Sequence, residues 1–383
     1  MLLDRINEFK GKNFAYFCKF DDERRTGTET LFVSGKEPIN VYNGAINHMN
    51  NEFAGIIKSG KNIPVIVSYD FIDDIYPDIK LKRSSWPQVS YIIPEEEFSG
   101  TYIREKEQTT IANGDLDDNE LEGKIGDAIK RIKNGDLLQI VLSRRFDLDV
   151  YDALYVAKKF LKNDKSLYVY YYKFGDLEVI GSSPENLLSV QNGTITIYPV
   201  AGTRKRGKSE SEDKDLENDL KSDQKELLEH RMLVDLARND LGRICYPGSV
   251  DVLSSMEIRK FASVMHIVST VSGKLEEYAP GNILRSVFPA GTVSGAPKKK
   301  AITLINGYED MPRGAYAGAL GVIGNNGMDL ALLIRSLFKS KNDNYTQAGA
   351  GIVKDSVPSS EIAEMYSKIL TVTGGLYEKN INY

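Results

Sequence analysis

Four strand-like runs follow one another in the middle of this 383-residue chain: LLQIVLSRRF (137–146), SLYVYYYKF (166–174), LEVIGSS (177–183) and TITIYPVAGT (194–203). All are rich in the β-branched and aromatic residues that suit a pleated, half-buried surface. Strands in succession pair most simply as an antiparallel meander, whereas a doubly wound parallel sheet alternates strand with helix throughout. Strand patterns recur around 263–274 and at 316–323, 329–338 and 345–354. Helical periodicity places Leu121, Ile125, Ala128, Ile129 and Ile132 on one face, with Gly135 as the stop. Further helices are expected from about Asp215 to Ala237, at 297–307, and from Pro358 to about Thr373, with RKRGKSESEDKDLEN (204–218) as a charged loop. The fold class is therefore α+β with mainly antiparallel sheets.

Residues 1–105 read as mixed strand and loop, with apolar runs TLFV (30–33) and IPVIVSYDFI (63–72), and the polar segment 108–119 reads as a linker. The length allows one large unit or several domains. A net charge of −5 gives no drive toward nucleic acid or anionic membranes, and the basic runs at 205–208 and 298–300 lack interleaved aromatics for stacking bases. The two cysteines, Cys18 and Cys245, provide neither a disulfide framework nor a thiolate metal centre. The opening MLLDRINEFKGKN holds no apolar run of signal-peptide length, and no segment approaches a membrane span, so a reducing cytoplasm is the expected home.

Two acidic pairs stand far apart in sequence, Glu226 with Glu229 and Glu361 with Glu364. Residues three apart are neighbours on a helix surface, so each pair projects from one face. Brought together, the four carboxylates would form a hard, oxygen-only set suited to Mg²⁺ with water and an anionic substrate; taken singly, either pair is also what a solvated helix face looks like. PAGTVSGAPKKKAI (289–302) is a Gly-rich turn entering a helix, with Pro297 at its first position. Thr292, Ser294 and the N–H groups of Gly295 and Ala296 can hold a carboxylate there, or the segment is simply a tight connection. It does not match a P-loop, and QAGAGIVKDSVPSSE (347–361) lacks the third glycine of a dinucleotide fingerprint but suits a second backbone anion cradle. His266 lies in a strand-like apolar run, as a core or a functional histidine. Arg335, alone in an apolar strand, needs an anionic partner from the protein or from a ligand, and its planar fork suits a bound carboxylate.

In order, DLLQIVLSRRF, VIGSSPENLL, YPVAGTRKRG, DQKELLEHRMLVDLARNDLGRICYPGSV, SVMHIVSTVSGKL, FPAGTVSGAPKKKAI, RGAYAGALGVIG, LLIRS and QAGAGIVKDSVPSSEIAE resemble the chorismate-utilising enzymes, most closely the family of anthranilate synthase component I. The resemblance covers about residues 117–377, implying a chorismate-binding catalytic domain there, and is weak over 1–105, mainly at SYDF (68–71). It implies a large α/β/β/α sandwich, two antiparallel sheets flanked by helices. It makes Glu226, Glu229, Glu361 and Glu364 the Mg²⁺ shell. Thr292, Gly349, Ala350 and Gly351 would hold the ring carboxylate of chorismate, Tyr316 and Arg335 the enolpyruvyl carboxylate, with Gly202 also lining the substrate. Glu185 would assist departure of the C4 hydroxyl and His266 the aromatising loss of pyruvate.

Water-activating relatives carry lysine where this chain has Gln139, and a neutral amide is no base for water. Many aminodeoxychorismate synthases attack through the lysine of a PIKGT motif, where Ala201 stands here. The resemblance therefore implies ammonia attack at C2 and release of pyruvate, giving anthranilate, the first step toward tryptophan. Aminodeoxychorismate formation and an inactive ligand-binding subunit are the alternatives. No G-x-C-x-G elbow is present, so a separate glutamine amidotransferase subunit is implied as ammonia donor in a hetero-oligomer, with no nucleic-acid or membrane partner. No clear LLES segment occurs, and Leu167 and Val169 stand where tryptophan-inhibited members have proline and methionine, so tryptophan inhibition does not follow.

Overall fold

The computed structural model describes residues 1–21, 25–104, 118–149, 151–261, 264–325 and 327–373. Most of the expected linker lies outside them. Two antiparallel sheets form the centre. The nine-stranded sheet runs Gly295–Ala296, Gln139–Asp147, Asn344–Ile352, Ser336–Lys339, Leu177–Ser183, Tyr168–Phe174, Asn13–Phe20, Thr26–Ser34, Glu96–Ile103. The ten-stranded sheet runs Val200–Lys205, Val264–Lys274, Thr194–Ile197, Asn186–Gln191, Gly327–Leu332, Ala319–Gly324, Ile63–Val67, Val89–Tyr91, Ile39–Val41, and Asp251–Lys260 adds to Val264–Lys274. The first hundred residues thus supply strands to both sheets.

Strand periodicity explains the layering. Tyr168, Tyr170 and Tyr172 point into the core between the sheets, with Leu188, Leu320 and Leu330 in the same cluster. Val169 and Tyr171, on the other face of that strand, join a second cluster under the Ala153–Asn163 helix. A strand buried on both faces reads as an unbroken apolar and aromatic run, which is why YVYYY shows no alternation. At the other end of this sheet Ile140, Leu142, Ala350 and Ile352 pack under the Asn119–Lys133, Lys298–Tyr308 and Pro358–Thr373 helices. The Ala45–Lys58, Gln224–Leu241 and Pro280–Val287 helices cover the ten-stranded sheet. Helices outside two facing sheets give the α/β/β/α sandwich. No helix among the described residues is long and apolar enough to cross a membrane.

Three local readings are corrected. The helix expected from Asp215 to Ala237 is two, Glu210–Ser222 and Gln224–Leu241, because Asp223 adopts extended backbone and its side chain accepts from the N–H groups of Lys225 and Glu226 as a cap. The charged loop at 204–218 is helical from Glu210, started by Ser209 accepting from Glu212 N, with Glu212 accepting from Lys208 N. The strand expected over 329–338 is two, Gly327–Leu332 in one sheet and Ser336–Lys339 in the other. Arg335, at φ +51°, sits where the chain changes sheets. The helices at 153–163 and 280–287 and the outlying strand Asp251–Lys260, mostly exposed, had no reading in the sequence.

Candidate active site

Strand Asn344–Ile352 is inserted between Gln139–Asp147 and Ser336–Lys339, setting Gly349, Ala350 and Gly351 opposite Ser143, Leu142 and Val141. A Cβ at Gly349 would stand 2.8 Å from Tyr316 Oη and 2.8 Å from the Leu142 carbonyl, and one at Gly351 would stand 2.8 Å from Gln139 Nε2. The two glycines therefore let a phenol and an amide lie directly against the strand. Tyr316 is buried, with the Arg313 guanidinium 5.5 Å from its ring, and burial pushes its hydroxyl well above the usual range. Arg313 is held in turn by Glu309 at 2.7 Å.

Lys368 enters this cradle from the Pro358–Thr373 helix, donating to the Gly349 carbonyl at 2.8 Å and pairing with Glu364 at 2.8 Å. The sequence reading missed it. Its signal was present, because Lys368 lies one turn beyond Glu364 and shares its helix face.

Glu185 and Thr292 meet across the site, Thr292 Oγ1 donating to Glu185 Oε1 at 2.6 Å. Burial raises the Glu185 carboxyl above the ordinary carboxylate range; the Thr292 hydrogen bond and the charges of Lys368 and Arg335 oppose that rise. Arg335 is half-buried, and among the described residues no carboxylate forms an ion pair with it. Elsewhere in the Gly-rich turn, Ser294 Oγ donates to the Ala290 carbonyl, and Gly295 and Ala296 form a short strand against Ile140 and Gln139. The helix begins at Lys298, so Pro297 is its cap and not its first residue.

His266, on Val264–Lys274, has Nδ1 3.1 Å from the Gly202 carbonyl and 3.0 Å from Thr203 Oγ1. A carbonyl only accepts, so Nδ1 carries a proton in this contact, which in a neutral ring puts the lone pair on Nε2. Gly202 adopts φ +66° at an irregularity in the pairing, where a Cβ would lie 3.0 Å from Leu220 and 3.3 Å from Glu226 Oε2. His266 and Glu226 are thus brought to the same turn of the Val200–Lys205 strand.

The two acidic helices face one another. Burial raises the Glu229 carboxyl, and Glu226 on its own helix and Glu361 on the other push it further. Burial also raises Glu361, with Glu364 adding to the rise and a Ser356 hydrogen bond opposing it. Cations lie among them: Arg204 Nη1 is 3.5 Å from Glu226, and Lys368 holds Glu364. Among the described residues no three His, Cys, Asp or Glu side chains are gathered closely enough to hold one ion. The donors are nonetheless all hard oxygens, and their mutual repulsion is the kind of charge a dication relieves.

Residues 102–374 match the family described as chorismate binding enzyme. The chain is similar to anthranilate synthase component 1 of Aquifex aeolicus, at 49% identity over 254 residues, 65% of this chain and 51% of that protein. It is similar to the same-named protein of Methanothermobacter marburgensis, at 44% over 285 residues, 74% of this chain and 61% of that protein. To that of Saccharolobus solfataricus it is 36% identical over 357 residues, 87% of this chain and 84% of that protein. The chain thus spans about half the length of the first of these relatives. Anthranilate synthase component I of Streptococcus pneumoniae superposes with a TM-score of 0.75 at 31% identity, covering 94% of this chain and 92% of that one. The menaquinone-specific isochorismate synthase of Escherichia coli shares the fold, at a TM-score of 0.75 and 20% identity, over 97% of this chain and 90% of its own.

Proposed function

Because this chain belongs to the chorismate-binding enzymes, we propose that it converts chorismate and ammonia to anthranilate, pyruvate and water. The observation that carries this reading is Gln139 lying against Gly351 in the glycine cradle: the group there is a neutral amide, which leaves the attack to an external nucleophile. Ala201, paired with Ile267, provides no nucleophile of its own. The relatives named anthranilate synthase component 1 support the same choice.

In this reading Arg335 and Tyr316 take the enolpyruvyl carboxylate, and Gly349, Ala350 and Gly351 take the ring carboxylate with Thr292. Ammonia attacks C2 as the C4 hydroxyl departs, and the Glu185 carboxyl, whose burial favours its protonated form, supplies the proton that turns hydroxide into water. The C2 ammonium returns its extra proton to the Glu185 carboxylate; the Nε2 lone pair of His266 then receives the C2 proton as the enolpyruvyl C–O bond breaks and the ring becomes aromatic, and that proton passes to the methylene carbon of the departing enolate to give pyruvate. Glu226, Glu229, Glu361 and Glu364 would hold Mg²⁺, which when bound neutralises carboxylate charge and draws electrons from the ring. For this, Arg204 and Lys368 must release the carboxylates they now pair with. The ammonia donor is a glutamine amidotransferase subunit in a cytoplasmic hetero-oligomer.

The test is to incubate the purified chain with chorismate, Mg²⁺ and ammonium and follow anthranilate fluorescence together with pyruvate. Equimolar anthranilate and pyruvate is the expected result. An aminated product formed without pyruvate would move the chain to aminodeoxychorismate synthesis.

A further inference from the structure

Arg313 is buried, and its guanidinium is shared among several segments of the chain. Nε and Nη2 hold the two oxygens of Glu309 at 2.8 and 2.7 Å, while Nη1 donates to the Val293 carbonyl at 2.7 Å and Nη2 to the Val141 carbonyl at 2.8 Å. Glu309 accepts in turn from Ser143 N at 2.9 Å and Ser143 Oγ at 2.7 Å. Val141 and Ser143 pair with Gly351 and Gly349 across the cradle, and Val293 follows Thr292 in the chain. One buried ion pair thus grips the cradle, the Gly-rich turn and, through the contact with its ring, Tyr316. Another contact comes from the first hundred residues. Tyr69, in SYDF, has its ring 4.9 Å from the guanidinium carbon, and its backbone N–H donates to the Gly314 carbonyl at 2.8 Å. The cation therefore lies against two tyrosine rings, a favourable setting once water is removed.

An ion pair that only filled space could be exchanged for apolar side chains of the same volume at little cost. The fork of Arg313 is instead divided among segments that each carry a residue of the proposed reaction. We propose that Arg313 is a positioning residue: its planar fork sets Thr292 and Tyr316 in register with the glycine cradle, and the SYDF segment holds that fork in place. The proposal rests on the function proposed above. Lysine cannot replace it, because one ammonium carries the charge without the spread of donors that reaches Glu309, Val293 and Val141 together.

Arg313→Lys keeps the charge that balances Glu309 and loses the fork. With the whole chain, Mg²⁺ and ammonium, it is expected to lower kcat/KM for chorismate about a hundredfold, as small misplacements of reacting groups do. The alkaline limb of the kcat profile is expected to move to higher pH, because a displaced Thr292 supports the ionised form of Glu185 less; Lys368 and Arg335, whose charges also act on Glu185, are left in place. Thr292→Val moves the limb the same way, and the double variant is expected to move it no further, since both changes act through one hydrogen bond. Tyr69→Leu removes the ring face alone and is expected to raise the KM for chorismate about tenfold, while Tyr69→Phe, which restores the face, recovers most of that loss. If Arg313→Lys does not fold, the Tyr69 pair decides the question. A limb that stays put in folded Arg313→Lys, limb shifts that add in the double variant, or Tyr69→Leu and Tyr69→Phe behaving alike means that the cluster supports the fold without setting the site, and overturns the proposal. An unaltered chain that yields no aminated product overturns the function itself, and the Arg313 assignment with it.

Discussion

Thr292 Oγ1 donates a 2.6 Å hydrogen bond to Oε1 of Glu185, so a hydroxyl steadies the ionised form of a carboxyl that burial drives toward its neutral form. Thr292→Val keeps the shape and removes that bond, which lets the Glu185 pKa rise further. An acid must be protonated to act, so activity is lost as pH climbs through this pKa. The alkaline limb of the kcat profile, measured at saturating chorismate and a constant concentration of free ammonia, is therefore expected to move to higher pH in the variant. A limb that stays put or moves down removes Glu185 from the role of acid.

The two cradle glycines differ in what an added methyl would strike. At Gly349 it meets Tyr316 Oη and the Leu142 carbonyl, backbone that cannot move aside, whereas at Gly351 it meets only the end of the Gln139 side chain. Gly349→Ala is expected to lose roughly 1–3 kcal/mol of stability, as overpacking does, and to lower kcat/KM for chorismate about a hundredfold. Gly351→Ala is expected to unfold with the unaltered chain. Urea unfolding and steady-state kinetics on both variants decide it, and equal effects would show that the glycines do not position Tyr316.

Glu229 is half-buried among like charges, and Glu226 and Glu361 add to the rise that burial imposes on its carboxyl. Glu229→Gln removes one of those charges and is expected to raise the melting temperature without metal, while the further rise on adding Mg²⁺ largely disappears. Calorimetric titration with Mg²⁺ should show the matching loss of binding. Retention of both responses would exclude this helix from the metal site. Glu364→Gln is expected to end Mg²⁺-dependent activity while leaving the fold intact.

Asp70, within SYDF, is buried and accepts from Ser84 N at 3.0 Å and Ser84 Oγ at 2.8 Å, yet burial pushes its carboxyl from 3.8 up to about 6. A carboxyl raised in the folded state favours the fold when protonated. This site therefore costs nothing below its unfolded value, weakens the fold as pH rises toward 6, and exerts a constant penalty above that, on the order of 2–3 kcal/mol. Asp70→Asn is expected to flatten stability between pH 4 and pH 6 and raise it at pH 7, read from urea unfolding across that range.

What the sequence made legible was local periodicity and what it hid was distance. The apolar faces of the 121–132 and 358–373 segments announced their helices because each buries one stripe. Leu177–Ser183 and Asn344–Ile352 were recognisable from β-branched runs and glycines. The break at Asp223 turned on a cap that looks, in sequence, like one more acid in an acidic helix. The change of sheets at Arg335 left no trace in an apolar run that continues on both sides of it. Lys368 was overlooked because its importance comes from meeting Gly349, nineteen residues earlier, across a tertiary contact.

The insertion of Asn344–Ile352 between Gln139–Asp147 and Ser336–Lys339 also fixes when the site can exist. A ribosome releases the 139–147 segment long before its partner, roughly 20 s earlier at about 10 residues per second. Throughout that interval one side of the cradle waits without the other, and the helix bearing Glu361, Glu364 and Lys368 emerges later still. A prematurely terminated or partly synthesised chain therefore carries none of the assembled chemistry. Binding competence is acquired only once the 344–352 strand and the helix that follows it have both been made.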